Sequence, residues 1–256
     1  MNPIKLSHLV YTIILISLFY FVPVNSHSQD VETFIIPSEL ANTAGNETGG
    51  PFPCFPFPSF RGQAVFLATE IGGGEIISSV NRLEPFGSGF GPVTLPNITV
   101  TLSTTQAAPG ALSTTFADNI GPDATVVFQG DLTLTSPGCT TSPCPFLAGQ
   151  VDFQQKFIFD PQKGNLLFDF IIPECVAGIT DGDGTDQFPN IASSIVSVPF
   201  DSPTGIASNF TLVTEFTLDR SALFNVPTLS EWGLIAMAGI LGIVGFMVIR
   251  RRKVTS

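Results

Sequence analysis

Between Arg61 and Asp219 the apolar residues recur with a period of two, and that period decides most of what the chain can fold into. In Asn97-Ile98-Thr99-Val100-Thr101-Leu102-Ser103 the aliphatic residues alternate with Asn, Thr and Ser, and Asp131-Leu132-Thr133-Leu134-Thr135 repeats the pattern. Successive side chains of a strand point to opposite faces, so such alternation builds a sheet with one apolar face. Val151, Phe153, Phe157 and Phe159 share one face of another stretch, with Asp152, Gln154, Lys156 and Asp160 opposite. Leu166, Phe168, Phe170 and Ile172 define the next, after a Pro161-Gln162-Lys163-Gly164 turn, and the spacing predicts a hairpin pairing 150–160 with 165–173. Further strands are predicted at 63–70, 74–83, 125–129, 193–199 and 210–218, with no convincing amphipathic helix outside the two termini. Short strands separated by Pro, Gly and Asn predict an all-β fold, an antiparallel β-sandwich of jelly-roll-like type whose inner faces carry Phe, Leu, Ile and Val. A chain of 256 residues suits one such domain, placed at 61–220, with terminal extras.

Residues 29–60 are rich in Pro, Gly, Asn and Phe, most of all in Pro51-Phe52-Pro53-Cys54-Phe55-Pro56-Phe57-Pro58. The prolines exclude helix there. The expectation is an extended segment whose phenylalanines lie on the core, because a free Phe-rich coil would expose an adhesive patch.

The two ends read as export signals. Residues 1–28 carry Lys5, an apolar core from Leu9 to Val24 and small residues that suit signal peptidase after Ser26 or after Ser28. Export places the chain in an oxidising compartment, where Cys54, Cys139, Cys144 and Cys175 are expected as disulfides. Zinc is disfavoured because paired C-x-x-C units are lacking. One local bridge could close Cys139-Thr-Thr-Ser-Pro-Cys144, leaving Cys54 and Cys175 as a long staple, although four cysteines allow three pairings and the sequence does not choose. At the other end Gly233 to Ile249 is an uncharged run of 17 residues. As a helix it spans roughly 25 Å, a short transmembrane segment. Trp232 stands at its interface, and Arg250, Arg251, Arg252 and Lys253 follow as a cytoplasmic stop that leaves the body outside.

Val226-Pro227-Thr228-Leu229-Ser230-Glu231-Trp232-Gly233, then the apolar run, then the arginine cluster, resembles the IPTL-CTERM sorting signal of exported proteins of Gram-negative bacteria, with Val226 where that family usually has Ile. The resemblance covers 226–253. By analogy with PEP-CTERM tails it implies a membrane-embedded exosortase-type enzyme that removes the helix and transfers the body to the cell surface or its exopolysaccharide. The motif residues would be Val226, Pro227, Thr228, Leu229, Ser230, Trp232 and Gly233. A block from Leu95 to Thr105, with Leu112 to Gly121 after it, is similar to stretches of exported bacterial proteins bearing such tails and implies no activity.

Charge and rare residues narrow what the body can do. Residues 29–225 hold 5 basic and 20 acidic side chains, which excludes a phosphate-tracking surface and so nucleic acid. His8 and His27, like Tyr11 and Tyr20, lie within the first 27 residues, so no imidazole is available to the body for a catalytic triad or a metal site. Glu70, Glu75, Glu84 and Glu174 could serve as a glycosidase pair, yet nothing in one sequence sets two of them across a cleft, and the expectation is a protein that is not an enzyme. Asp181-Gly182-Asp183-Gly184-Thr185-Asp186 is the best candidate for a cofactor, calcium: Asp181, Asp183 and Asp186 can converge in a Gly-rich loop, against the plainer reading of an Asp/Gly turn. Asn46, Asn97 and Asn209 begin N-x-Thr triplets, which in a bacterial chain are accidental. The expectation is an exported surface or matrix protein of structural or adhesive role. The alternative is a displayed carbohydrate-binding module, calcium-dependent in its best form, which the absence of Trp and Tyr from the body disfavours.

Overall fold

A computed structural model describes residues 30–49, 57–146, 148–177, 182–221, 235 and 238–240. The strands are β1 (Val31–Ile36), β2 (Glu47–Gly49), β3 (Phe60–Phe66), β4 (Gly74–Asn81), β5 (Phe90–Thr105), β6 (Thr125–Ser136), β7 (Ala148–Phe159), β8 (Asn165–Ile172), β9 (Gly182–Thr185), β10 (Ala192–Ser197), β11 (Ile206–Ser208), β12 (Thr211–Leu212) and β13 (Thr214–Asp219). Two four-residue helices, α1 (Ala68–Ile71) and α2 (Phe116–Asn119), and a 3₁₀ turn at Ser38–Leu40 complete the described secondary structure of the body. The chain is therefore mostly β.

The strands form a four-stranded sheet in the order β1-β13-β4-β7, a six-stranded sheet β11-β10-β3-β8-β5-β6, and a three-stranded sheet β12-β9-β2. All of these pairings are antiparallel. The alternation read from the sequence places the inner faces of the first two sheets in one core. Ile76, Val151, Phe157, Phe159 and Phe216 come from the smaller sheet, and Phe66, Val100, Leu102, Leu134 and Leu166 from the larger. Burial of this kind is worth about 1.5–3 kcal/mol for each large side chain and dominates the stability.

The expected hairpin of 150–160 with 165–173 does not form. β7 pairs with β4, whereas β8 pairs with β3 and β5, so the Asp160–Gly164 turn carries the chain from one sheet to the other. Composition explains the choice. In β8, Leu167 and Leu166 are both buried on opposite faces, as suits a strand inside the larger sheet, whereas the outer face of β7 carries exposed Asp152 and Gln154 and suits an edge. Three smaller differences have local causes. The strand expected at 63–70 ends at Phe66 and gives way to α1. The strand expected at 210–218 is divided at Val213, whose backbone bonds to Asp183. The stretches at 125–129 and 131–135 join as β6 through Gly130, which at φ 145° holds a conformation open to glycine.

The segment at 29–60 joins the body at its start, whereas its most Pro- and Phe-rich part, with Phe52 and Phe55, lies outside the described residues at 50–56. Val31–Ile36 pairs along its whole length with β13, from Val31 opposite Asp219 to Ile36 opposite Thr214, and Phe34 packs on the core. The chain thus enters and leaves the sandwich side by side at one end. The loop between β5 and β6 is drawn onto the outer face of the larger sheet by a buried polar cluster. Gln63 donates to the Phe116 carbonyl and to Asp169, Asn119 donates to Gln63, Arg61 reaches Asp169 at 2.7 Å, and the Arg61 guanidinium lies over the Phe116 ring.

Candidate functional site

Two features occupy the half of the sandwich away from the paired chain ends. The first is a buried charge node. Arg82 follows β4 and is 1% exposed, and Asp183 lies in β9 at 0%. Arg82 Nε donates to Asp183 Oδ2 at 2.8 Å, its two terminal nitrogens donate to the carbonyls of Leu40 and Thr43 at 2.6 and 2.7 Å, and the Gly45 amide donates to Asp183 Oδ1 at 2.8 Å. Backbone bonds run from Asp183 to the Arg82 carbonyl and from Val213 to the Asp183 carbonyl. One guanidinium therefore ties the segment at 38–45, the three-stranded sheet and the end of β4 together. Gly45 is required by closeness, since a Cβ there would collide with the Gly184 carbonyl.

This node gives Asp183 a task other than the one its sequence context suggested. Both of its oxygens are engaged, and its counter-charge is Arg82. Asp186 accepts from the Asn46 side chain at 2.8 Å, and Asp181 lies outside the described residues. Among the described residues no three His, Cys, Asp or Glu side chains gather so as to hold a metal ion. Of the four glutamates considered as an acid and base pair, Glu75 is held by Lys156 at 3.0 Å.

The second feature is a cavity of about 270 Å³ between the two main sheets, closed on one side by the three-stranded sheet. β3 contributes Phe60, Gly62, Ala64 and Phe66, four successive inward positions, and β8 contributes Phe168 and Phe170. Phe216 faces them from β13, with edge-to-face contacts to Phe66 and Phe168. Phe57 and Phe210 complete the aromatic wall. Glycines make room for these rings. A Cβ at Gly62 would stand 2.6 Å from the Phe170 ring, and one at Gly49 or Gly184 would stand 2.6 or 2.5 Å from that of Phe210. The polar lining is largely occupied with itself: Ser194 Oγ donates to the Phe210 carbonyl, and Thr214 Oγ1 to Asn81 Oδ1. Among the described residues no charged side chain lines the cavity.

Sequence reasoning did not find this site. Its signals were present in the excess of 24 Phe over 2 Tyr and in glycines interrupting strands, which mark places where something must approach the backbone closely. A smaller recess of about 160 Å³, lined by Gly110, Ser193, Ser194, Ser208 and Asn209 among others, lies at the β10–β11 edge.

Cys139 and Cys144 are joined, with Cα atoms 5.8 Å apart, as the short spacing suggested. Cys175 is disulfide-bonded, and its expected partner Cys54 lies outside the described residues. So do the sorting residues Val226, Pro227, Thr228, Leu229, Ser230, Trp232 and Gly233, the stop Arg250, Arg251, Arg252 and Lys253, and the signal segment 1–28. Near the tail, Ile235 and Ala238 to Ile240 are helical and exposed. Among the described residues no helix is long and apolar enough to cross a membrane.

The family model of the IPTL-CTERM motif matches residues 226–253. The chain carries an IPTL-CTERM motif there, in the position the resemblance indicated. Neither the curated proteins nor the solved structures contain a match to it.

Proposed function

We propose that this is an exported protein whose C-terminal motif directs the β-sandwich to the cell surface, where the body has a structural or adhesive role and catalyses no reaction. The observation that carries this reading is the matched motif at 226–253, in which the Pro-Thr-Leu-Ser-Glu-Trp sequence, the apolar run and the basic cluster follow in order. Residues 1–28 act as a signal peptide for signal peptidase. Gly233 to Ile249 forms the single transmembrane helix that holds the motif at the membrane surface, where an exosortase-type enzyme living in the same membrane meets it. Transfer to the surface or its exopolysaccharide follows removal of the helix.

The strand order supports a jelly-roll-like reading of the body. β1-β13-β4-β7 faces β3-β8-β5-β6, and the chain crosses repeatedly between the two sheets, with β10 and β11 added at one edge. Adjacent β1 and β13 let the signal peptide and the sorting tail leave from one end of the sandwich, so the charge node and cavity lie at the far end. A carbohydrate-binding module remains the second reading on the strength of the hydroxyl-lined recess beside Ser193 and Ser208, not of the Phe cavity, which offers a sugar few hydrogen bonds.

The test is mass spectrometry of the C-terminus of the protein recovered separately from envelope and medium. An end within 228–233 is expected, with Trp232→Ala leaving full-length chain in the envelope. Intact Ser256 in every fraction would overturn sorting and leave a permanently anchored protein.

A further inference from the structure

We propose that the cavity between the two main sheets is a binding site for a neutral ligand with an unbranched aliphatic chain, of the class of medium-chain alcohols and their esters. Shape is the first argument. Phe60, Gly62, Ala64 and Phe66 of β3 are among the residues that line the cavity. Phe168, Phe170 and Phe216 stand around the same space, and with Phe66 these rings already touch one another at centroid distances of 5.2 to 6.2 Å. A volume near 270 Å³ walled by rings set at different angles is irregular, which suits a flexible polymethylene chain and not a rigid fused ring system. Scaled from a cavity of about 150 Å³ that holds benzene, it accommodates about ten carbons.

Charge is the second argument. Among the described residues the lining has no Lys, Arg or His to receive a carboxylate or phosphate, and no Asp or Glu to receive an amine. An ionic head would lose its hydration without compensation, so the ligand is neutral. Phenylalanine offers no hydrogen bond, which excludes a polyhydroxylated ligand from the same space. Polar contacts are few among the described lining residues. Asn81 lines the cavity, and because its side-chain oxygen accepts from Thr214, its amide NH₂ is left to donate to a hydroxyl or ester oxygen. This reading rests on the cavity alone and stands whether or not the C-terminal tail is cut.

The experiment uses the full-length protein in detergent-free envelope vesicles and a ten-carbon alcohol carrying a diazirine in mid-chain. Irradiation followed by peptide mapping is expected to place the label within 57–66, 166–170 or 210–216. Excess decan-1-ol should suppress it about tenfold, whereas decanoate and maltose at the same concentration should not. Ala64→Phe, which projects a ring into the cavity, should lower labelling about tenfold in protein that keeps its resistance to proteolysis. Should that variant fail to fold, Val196→Phe fills the space from the neighbouring strand and is read in the same way. Label confined to 233–249, label in the body that decan-1-ol does not displace, or a folded filled variant that labels like the wild type would each overturn the proposal.

Discussion

The two halves of the sandwich use the same residues to different ends. Near the paired chain ends, Ile71, Ile76, Phe159 and Leu218 are all 0% exposed, and the sheets meet in a filled core. Toward the other end, phenylalanines stand around open space, and the chain is held by a buried ion pair with carbonyl and amide partners. Apolar contact is non-directional and stabilises only where it is close. Hydrogen bonds to a guanidinium are directional and can fix a frame around a void. The comparison teaches that the end with the least filling needs the most specific polar anchoring.

The largest expected effect is at the anchor. Arg82→Met leaves Asp183 charged and buried, and urea unfolding should show a loss of about 3–5 kcal/mol. Adding Asp183→Leu to that variant should recover much of the loss, because the desolvated charge is then gone. A single-variant loss under about 1 kcal/mol would show that the node does not hold this end. Next, Phe159→Ala in the filled half should cost about 3–5 kcal/mol, whereas Phe210→Ala, half-buried beside the cavity, should cost less than about 2 kcal/mol. Equal losses in thermal melts would erase the distinction between the halves.

The smallest effect is electrostatic and lies on β13. Burial raises the pKa of Glu215 above its ordinary value. A carboxyl with a raised folded pKa adds stability below its unfolded value and loses it as pH rises through the folded one. Glu215→Gln should therefore give a small gain in Tm at neutral pH that disappears in acid. Asp219 on the same strand is the opposite case: the Ser221 hydroxyl and amide hold its carboxyl below its ordinary value. Its contribution is present above the unfolded value and fades as pH falls, so Asp219→Asn should lower Tm at neutral pH and leave it unchanged in strong acid. Matching pH profiles for the two variants would contradict these assignments.

Much of the fold could be read locally. Alternation in β5, β6, β7 and β8 assigned faces correctly because side-chain direction in a strand depends on nothing beyond the next residue. The Cys139–Cys144 bridge was one of three pairings the sequence left open, favoured locally because a separation of five residues can bring the two thiols together in a turn. Partnership was not legible in the same way. β7 and β8 carry hairpin-like patterns on either side of a turn, but the strands they pair with begin at Gly74, Phe60 and Phe90. Asp183 looked like a loop ligand because its partner Arg82 is 101 positions away, and no local pattern joins them.

By itself, then, the sequence determined the strand faces, the acidic body free of imidazole, and the sorting signal, whose order of motif, apolar run and basic cluster is linear information. The tertiary structure alone decided which sheet each strand joined, that Val31–Ile36 supplies an edge strand beside β13, where the buried arginine finds its carboxylate, and that a cavity stays open among the phenylalanines. The physical reason is range. Faces and turns follow from bonds within a few residues, whereas pairing and packing depend on which distant surfaces fill one another, and a void exists only once all of them are in place.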